Sequence, residues 1–179
     1  MTDADARIAA LEARLADLEA ERAVRHTFTR YMALCDVPAT VLEGESLGAL
    51  FTEDAVWEGV GTHYAQTFGR SIGRAQIVAM LSRYLPPTPH FTTNVHFVTS
   101  ETIHVDGKQA TGRWIMMQAS GYVDGSAELI GARLVVDFIP SEDGKHWLIA
   151  HFRTERLFDA PWSVMPRAAL VSSDQEHSA

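Results

Sequence analysis

Tyr31, Asp36 and His90 are the residues whose types could carry out chemistry together. A carboxylate that accepts a hydrogen bond from one imidazole nitrogen fixes the tautomer and leaves the other nitrogen able to take a proton. A neutral phenol can donate to a carbonyl or to a departing oxygen. Together they form a metal-free kit for removing a proton next to a carbonyl, followed by elimination or isomerisation. Tyr31 and Asp36 are five positions apart, roughly 140° around a helix, so they converge only where the helix ends. Val37-Pro38 predicts that end, because proline cannot continue the ladder and biases its predecessor away from helix.

His90 follows Pro86-Pro87-Thr88-Pro89 and opens an extended run in which His90, Thr92, Asn94 and His96 share one face by period two. Asn94 and His96 would extend a site deeper, although a polar strand face can equally meet water. Arg153 and Arg156 fall on opposite faces of a regular last strand, so at most one points inward unless a bulge intervenes. Arg156 is either a substrate anchor or a surface ion pair. Trp114, Met116, Phe138 and Phe152 suit a core or a pocket wall, and Cys35 suits packing. No glycine-rich phosphate loop, G-x-S-x-G elbow or H-E-x-x-H pair competes with this set. The single cysteine excludes an internal disulfide, and no Cys/His spacing suggests zinc. Neither a cofactor nor a metal is expected.

The elements that must position these residues follow from periodicity. From Asp3 to Asp36 nothing breaks a helix. Ile8, Leu11, Leu15 and Leu18 form a heptad seam that stops at Arg22 and Arg25. Val24, Phe28, Tyr31, Met32 and Cys35 then make a second apolar stripe. The first part is expected to be an arm that packs on a partner subunit or a neighbouring element, with a solvated tail as the plainer alternative. Glu45–Phe51 reads as a short helix, Ala55–Val60 as a strand, the Gly59, Gly61 and Gly69 stretch as loop, and Ser71–Leu85 as a helix stopped by prolines. Asp106-Gly107, Asp124-Gly125 and Asp143-Gly144 are hairpin turns about 18 residues apart. They predict four antiparallel strands near 90–105, 108–122, 126–140 and 146–158.

Helices followed by a long meander define an α+β fold in which helices cover one face of a bent sheet. Trp147, Ile149, Val135 and Ile139 are candidates for the other face and suggest sheet-to-sheet dimerisation. The expected organisation is an arm over 1–20, one domain over 21–160 and a partly disordered tail over 161–179. At 179 residues, 46% of them hydrophobic, the chain can bury a sizeable core. A net charge of -8 argues against nucleic acid and against an anionic membrane surface. Small molecules and protein partners remain. With no apolar h-region and no long apolar run, a cytoplasmic protein is expected.

The order of Tyr31-x4-Asp36, Leu50-Phe51-Thr52-Glu53-Asp54-Ala55-Val56-Trp57, Gly69-x3-Gly73, His90 and Ala110-Thr111-Gly112-Arg113-Trp114 resembles the SnoaL-like branch of the NTF2-like superfamily. Within it the pattern is most similar to bile acid 7α-dehydratase and, more distantly, to scytalone dehydratase, over about residues 6 to 160. The resemblance implies a cone-shaped α+β barrel, N-terminal helices on a strongly curved antiparallel sheet. It implies a site of Tyr31, Asp36, His90 and Arg156, and from the residue pattern Asn94, Trp114, Met116 and Phe138 are expected against the substrate. A further tyrosine of the dehydratase corresponds to about Gly59, and the second histidine of scytalone dehydratase to about Trp114. The implied activity is that of a cofactor-independent lyase (EC 4), a dehydratase of a hydrophobic steroid-like or aromatic hydroxy compound; the exposed sheet residues and the heptad arm add the expectation of a homodimer or homotrimer. Isomerase, epoxide hydrolase, formaldehyde-releasing carbon-carbon lyase of lignin-derived diols, and non-catalytic binding protein are the alternatives.

Overall fold

Thr2 starts the first helix, accepting from the Asp5 backbone N–H while the Asp5 carboxylate accepts from the Thr2 N–H, a reciprocal cap that satisfies two end groups. The helix, α1 (Asp3–Cys35), runs to the predicted stop. The computed structural model describes residues 2–39 and 44–162. After a single helical turn at Leu47–Leu50 come β1 (Phe51–Val60), α2 (Gly61–Thr67), β2 (Arg70–Ile72) and α3 (Arg74–Leu81). The meander follows as β3 (Phe91–Asp106), β4 (Gln109–Tyr122), β5 (Ala127–Pro140) and β6 (Trp147–Pro161). The sheet order is β2-β1-β6-β5-β4-β3, antiparallel throughout except that β1 runs parallel to β6.

The four predicted meander strands lie within three residues of their observed ends, because the Asp-Gly turns fix them locally. Two other expectations are corrected. The glycine-rich stretch after Gly59 is the helix α2, and the long helix expected over Ser71–Leu85 is split into β2 and α3, with Gly73 at φ 90° between them. Gly59 belongs to the packing of α2. A Cβ there would run into the Tyr64 carbonyl, so α2 folds back on β1 only because position 59 carries no side chain.

The core lies between α1 and the concave side of the sheet. Val24, Phe28, Tyr31, Met32 and Cys35 are all buried, with Phe28 stacked on Trp114 at 3.6 Å between ring centroids. Trp147 and Ile149 are buried in this core, where the Trp147 carbonyl accepts from Thr27 Oγ1 at 2.6 Å, not on the outer face expected for them. Of the four outer-face candidates, Ile139 is exposed and Val135 half-buried. Ile8, Leu11, Leu15 and Leu18 are all exposed. The tail expectation for 163–179 falls outside the described residues.

Candidate active site

One antiparallel bridge builds the centre of the site. Val37 donates to the Asn94 carbonyl at 2.8 Å and accepts from the Asn94 N–H at 2.9 Å, which ties the chain just past α1 to β3. Asp36 is thereby held beside His96. Its Oδ1 accepts from the His96 backbone N–H at 3.0 Å and stands 2.8 Å from His96 Nδ1. An ionised carboxylate only accepts, so Nδ1 carries the proton and Nε2 presents its lone pair. His96 lines a cavity of about 320 Å³, whereas Asp36 lies behind it.

The expected pairing of Asp36 with His90 does not form. Phe91 pairs with Tyr122 but Thr93 pairs with Gly121, so β3 carries one extra residue at Thr92. The bulge breaks the period-two face. His90 and Phe91 line the cavity on one side of it, and Asn94 and His96 on the other, while Thr92 is exposed. His90 sits among Tyr84, Phe91 and Tyr122, at 5.0, 4.3 and 5.6 Å between ring centroids. No described side chain hydrogen-bonds to its ring nitrogens.

Tyr31 lines the same cavity. Its oxygen accepts from Trp57 Nε1 at 3.0 Å, and the phenol lies against Phe51 and Phe152. Burial pushes its pKa well above 10, so Tyr31 stays a protonated donor. Cys35 beside it is pushed up to about 12, first by burial, with the Asp36 charge adding to the rise. The sign of the pH effect follows. Between 9 and 12 the unfolded thiol loses its proton and the folded one keeps it, so stability is full below pH 9 and falls above it by about 1.4 kcal/mol per pH unit. Tyr31 adds to the loss from pH 10 upward. Urea unfolding at pH 8 and pH 10.5 checks this, and Cys35→Ala should flatten the decline over 9 to 10. A thiol reagent at pH 8 should leave Cys35 unmodified until the chain is unfolded.

Asn94 is buried at 3% exposure and spends its side-chain atoms inside the protein. Its Oδ1 accepts from Gln118 Nε2 and Ser120 Oγ, both at 2.8 Å, and its Nδ2 donates to the Cys35 carbonyl at 3.4 Å. Asn94 therefore aligns β3, β4 and the end of α1. Gln118, which also lines the cavity, was not legible as a site residue.

The far side of the cavity holds a charged cluster. Phe152, Thr154 and Arg156 of β6 line the cavity, while Arg153 and Glu155 lie on the outer face, paired with Asp137 and Arg133. Arg156 points inward with its side chain only 12% exposed. Its guanidinium donates to Glu128 Oε2 at 3.0 Å, and its Nε lies 3.3 Å from Asp159 Oδ1 without hydrogen-bond alignment. His63 Nε2 stands at 3.4 Å and the Tyr64 ring at 5.9 Å. Tyr122 donates to the other Glu128 oxygen. Burial raises the Tyr64 and Tyr122 pKa values, and Glu128 raises that of Tyr122 further, so both phenols stay neutral. Tyr64 supplies a cavity tyrosine from α2, near the strand position where the dehydratase pattern has one and this chain has Gly59. Gly59, Gly61 and Gly69 around α2 give it the pattern of a loop in the sequence, which carries no signal for Tyr64. Tyr122 and Glu128, by contrast, flank the predicted Asp124-Gly125 turn, whose register could have revealed them.

Met116 lines the cavity as expected. Trp114 and Phe138 do not. Trp114 is consumed by its stack on Phe28 and by its Nε1 donating to Glu101 Oε2 at 3.0 Å, and Phe138 packs edge-on against it. Among the described residues no cluster of three or more His, Cys, Asp or Glu side chains could hold a metal ion, and no helix is long and apolar enough to cross a membrane.

Three helices and a six-stranded mixed sheet curved around one apolar cavity define the NTF2-like α+β cone. The chain belongs to the SnoaL-like domain family, whose pattern matches residues 16–153. No curated protein matches it by sequence. Among solved structures it is similar to hexachlorocyclohexane dehydrochlorinase LinA of type 2, with TM-score 0.70 and 16% identity over 86% of this chain and 98% of that one. A scytalone dehydratase-like protein of Novosphingobium aromaticivorans gives 0.65 and 16% over 87% and 93%. An NTF2-like protein with a cystatin-like fold, also from Novosphingobium aromaticivorans, gives 0.62 and 26% over 82% and 88%.

Proposed function

We propose that the chain is a cofactor-independent lyase that eliminates water, or another small leaving group, from a neutral hydrophobic hydroxy compound of aromatic or steroid-like shape. The observation that carries this reading is the Asp36–His96 pair at 2.8 Å, with the ring lining an apolar cavity that Tyr31 also lines. His96 Nε2 takes the proton next to a carbonyl. The electron pair of that C–H bond forms the new double bond as the C–O bond breaks. Tyr31 donates to the oxygen that gains charge, and His90, bordering the same cavity, hands a proton to the departing group. Two of the similar structures are named for eliminations, a dehydrochlorination and a dehydration, which is in keeping with proton abstraction as the first step.

Arg156, expected to be a substrate anchor, fits a different role. Glu128 and Asp159 already balance its charge, leaving the cluster with one negative charge in excess. A substrate carboxylate placed there would meet two carboxylates and one engaged guanidinium, whereas a neutral hydroxyl could donate to the Tyr122 oxygen, or a hydroxyl or ketone accept from Tyr64, without a desolvated charge. Neutral analogues should therefore bind at least 10-fold more tightly than their carboxylated counterparts, and Glu128→Gln should narrow or reverse that preference. Calorimetric titration of matched pairs measures it. A carboxylate preference in the unaltered protein would assign Arg156 the anchoring role instead.

Incubation with a panel of neutral hydroxy ketones and hydroxylated aromatics, read by product mass, tests the reaction class. Loss of water supports elimination, and exchange of deuterium from solvent into the substrate supports the proton-transfer step. An unchanged mass with rearrangement, a gain of water, or a loss of formaldehyde would assign the same base to an isomerase, a hydrolase or a carbon-carbon lyase. Binding with neither turnover nor exchange across the panel would leave a binding protein.

A further inference from the structure

The arm of α1 is a helix with nothing against it. Every residue from 2 to 19 is exposed, and Ile8, Leu11, Leu15 and Leu18 are between 55% and 67% exposed. Four large apolar side chains at 3-4 spacing on a helix facing only water is an unfilled seam. The charges beside it say what fills it. With Ile8 and Leu15 at heptad position a and Leu11 and Leu18 at d, position g carries Arg7, Arg14 and Glu21, and position e carries Glu12, Glu19 and His26.

In a parallel, in-register pair of helices each g residue meets the e residue five places on in the other chain. Arg7 then meets the partner's Glu12, and Arg14 the partner's Glu19. An antiparallel pair sets Arg14 against Arg14 and Glu12 against Glu12, like charges at close range. We infer that the arm binds a second copy of this chain, as a parallel two-stranded coiled coil. Ile at a with Leu at d favours two strands.

The rest of the molecule permits this arrangement. At 100° per residue the seam points roughly 150° away from the buried stripe of Val24, Thr27, Phe28, Tyr31, Met32 and Cys35. Two α1 helices can therefore lie back to back with each domain on the outer side. Two heptads are too short to associate as a free peptide, because nucleating the helix is costly. Here the helix continues into the core-packed half of α1 and is already nucleated. The seam ends at Arg22 and Arg25, where in-register pairing would put like charges together, and Arg25 is instead held by Glu101 of its own chain at 2.7 Å. This interface uses neither the cavity nor the outer face of the sheet.

Sedimentation equilibrium of the full chain should give the mass of two chains. Leu11→Glu with Leu18→Glu should raise the dissociation constant at least about 100-fold while the thermal midpoint of the monomeric domain and cavity binding are kept. Ala4→Cys, at the preceding d position, should form an interchain disulfide under mild oxidation, since only parallel helices bring the two copies of position 4 together. A monomer, a mass of three chains, an unchanged mass in the double variant, or no crosslink at position 4 would each overturn the proposal.

Discussion

Replacing His96 by alanine is expected to lower kcat/KM about 10³-fold, within the 10² to 10⁴ that a positioned general base contributes. Asp36→Asn removes the charge and the tautomer control but keeps the shape, and should cost about 10²-fold. On the proposed reading Asp36 acts through His96, so the double variant should lose little more than His96→Ala alone, the non-additivity expected of two groups working as one. His90→Ala, which leaves the Asp36–His96 contact intact, should cost about 10-fold. Full turnover by His96→Ala together with a larger loss in His90→Ala would make His90 the base and reduce the Asp36–His96 pair to a structural tie. Circular dichroism on each variant separates lost chemistry from lost structure.

Phe28→Ala is the largest expected effect on stability, about 3–5 kcal/mol. Phe28 is 1% exposed and stacked at 3.6 Å on Trp114, which is itself enclosed by Phe138 and fixed by Glu101. Truncation leaves a hole between α1 and β4 that rigid neighbours cannot fill. For a domain of this size the thermal midpoint should fall on the order of 10 °C. Phe28 does not line the cavity, so ligand affinity of the folded protein should change little. A loss under about 1 kcal/mol would show that this contact is not part of the core.

Much of the fold is local enough to read from the chain. Asp-Gly pairs at 106, 124 and 143 need little beyond their own backbone preferences to make turns, and they fix all four meander strands. The end of α1 at Cys35 follows from Val37-Pro38. What escaped was decided at a distance. Helix α2 looks like loop because glycines surround it, and it forms because Gly59 lets it fold back against β1. Trp147 and Ile149 could face either way by alternation, and it is packing in the core beside α1 that places them inward. Trp114 looks like a pocket wall until Phe28 and Glu101 claim it.

The centre of the site divides the same way. The sequence by itself determined the chemical kit, a phenol and a carboxylate at a helix end and two imidazoles at the start of a strand, and it determined the elements that carry them. Only the tertiary structure decided which imidazole the carboxylate meets. One extra residue at Thr92 shifts the phase of β3, and the Val37–Asn94 bridge then sets Asp36 against His96 in place of His90. The bulge turns Thr92 out and lets Phe91 line the cavity beside His90, while Asn94 and His96 beyond it keep the inward face, and nothing in the local pattern of Pro89 to His96 marks where the extra residue falls.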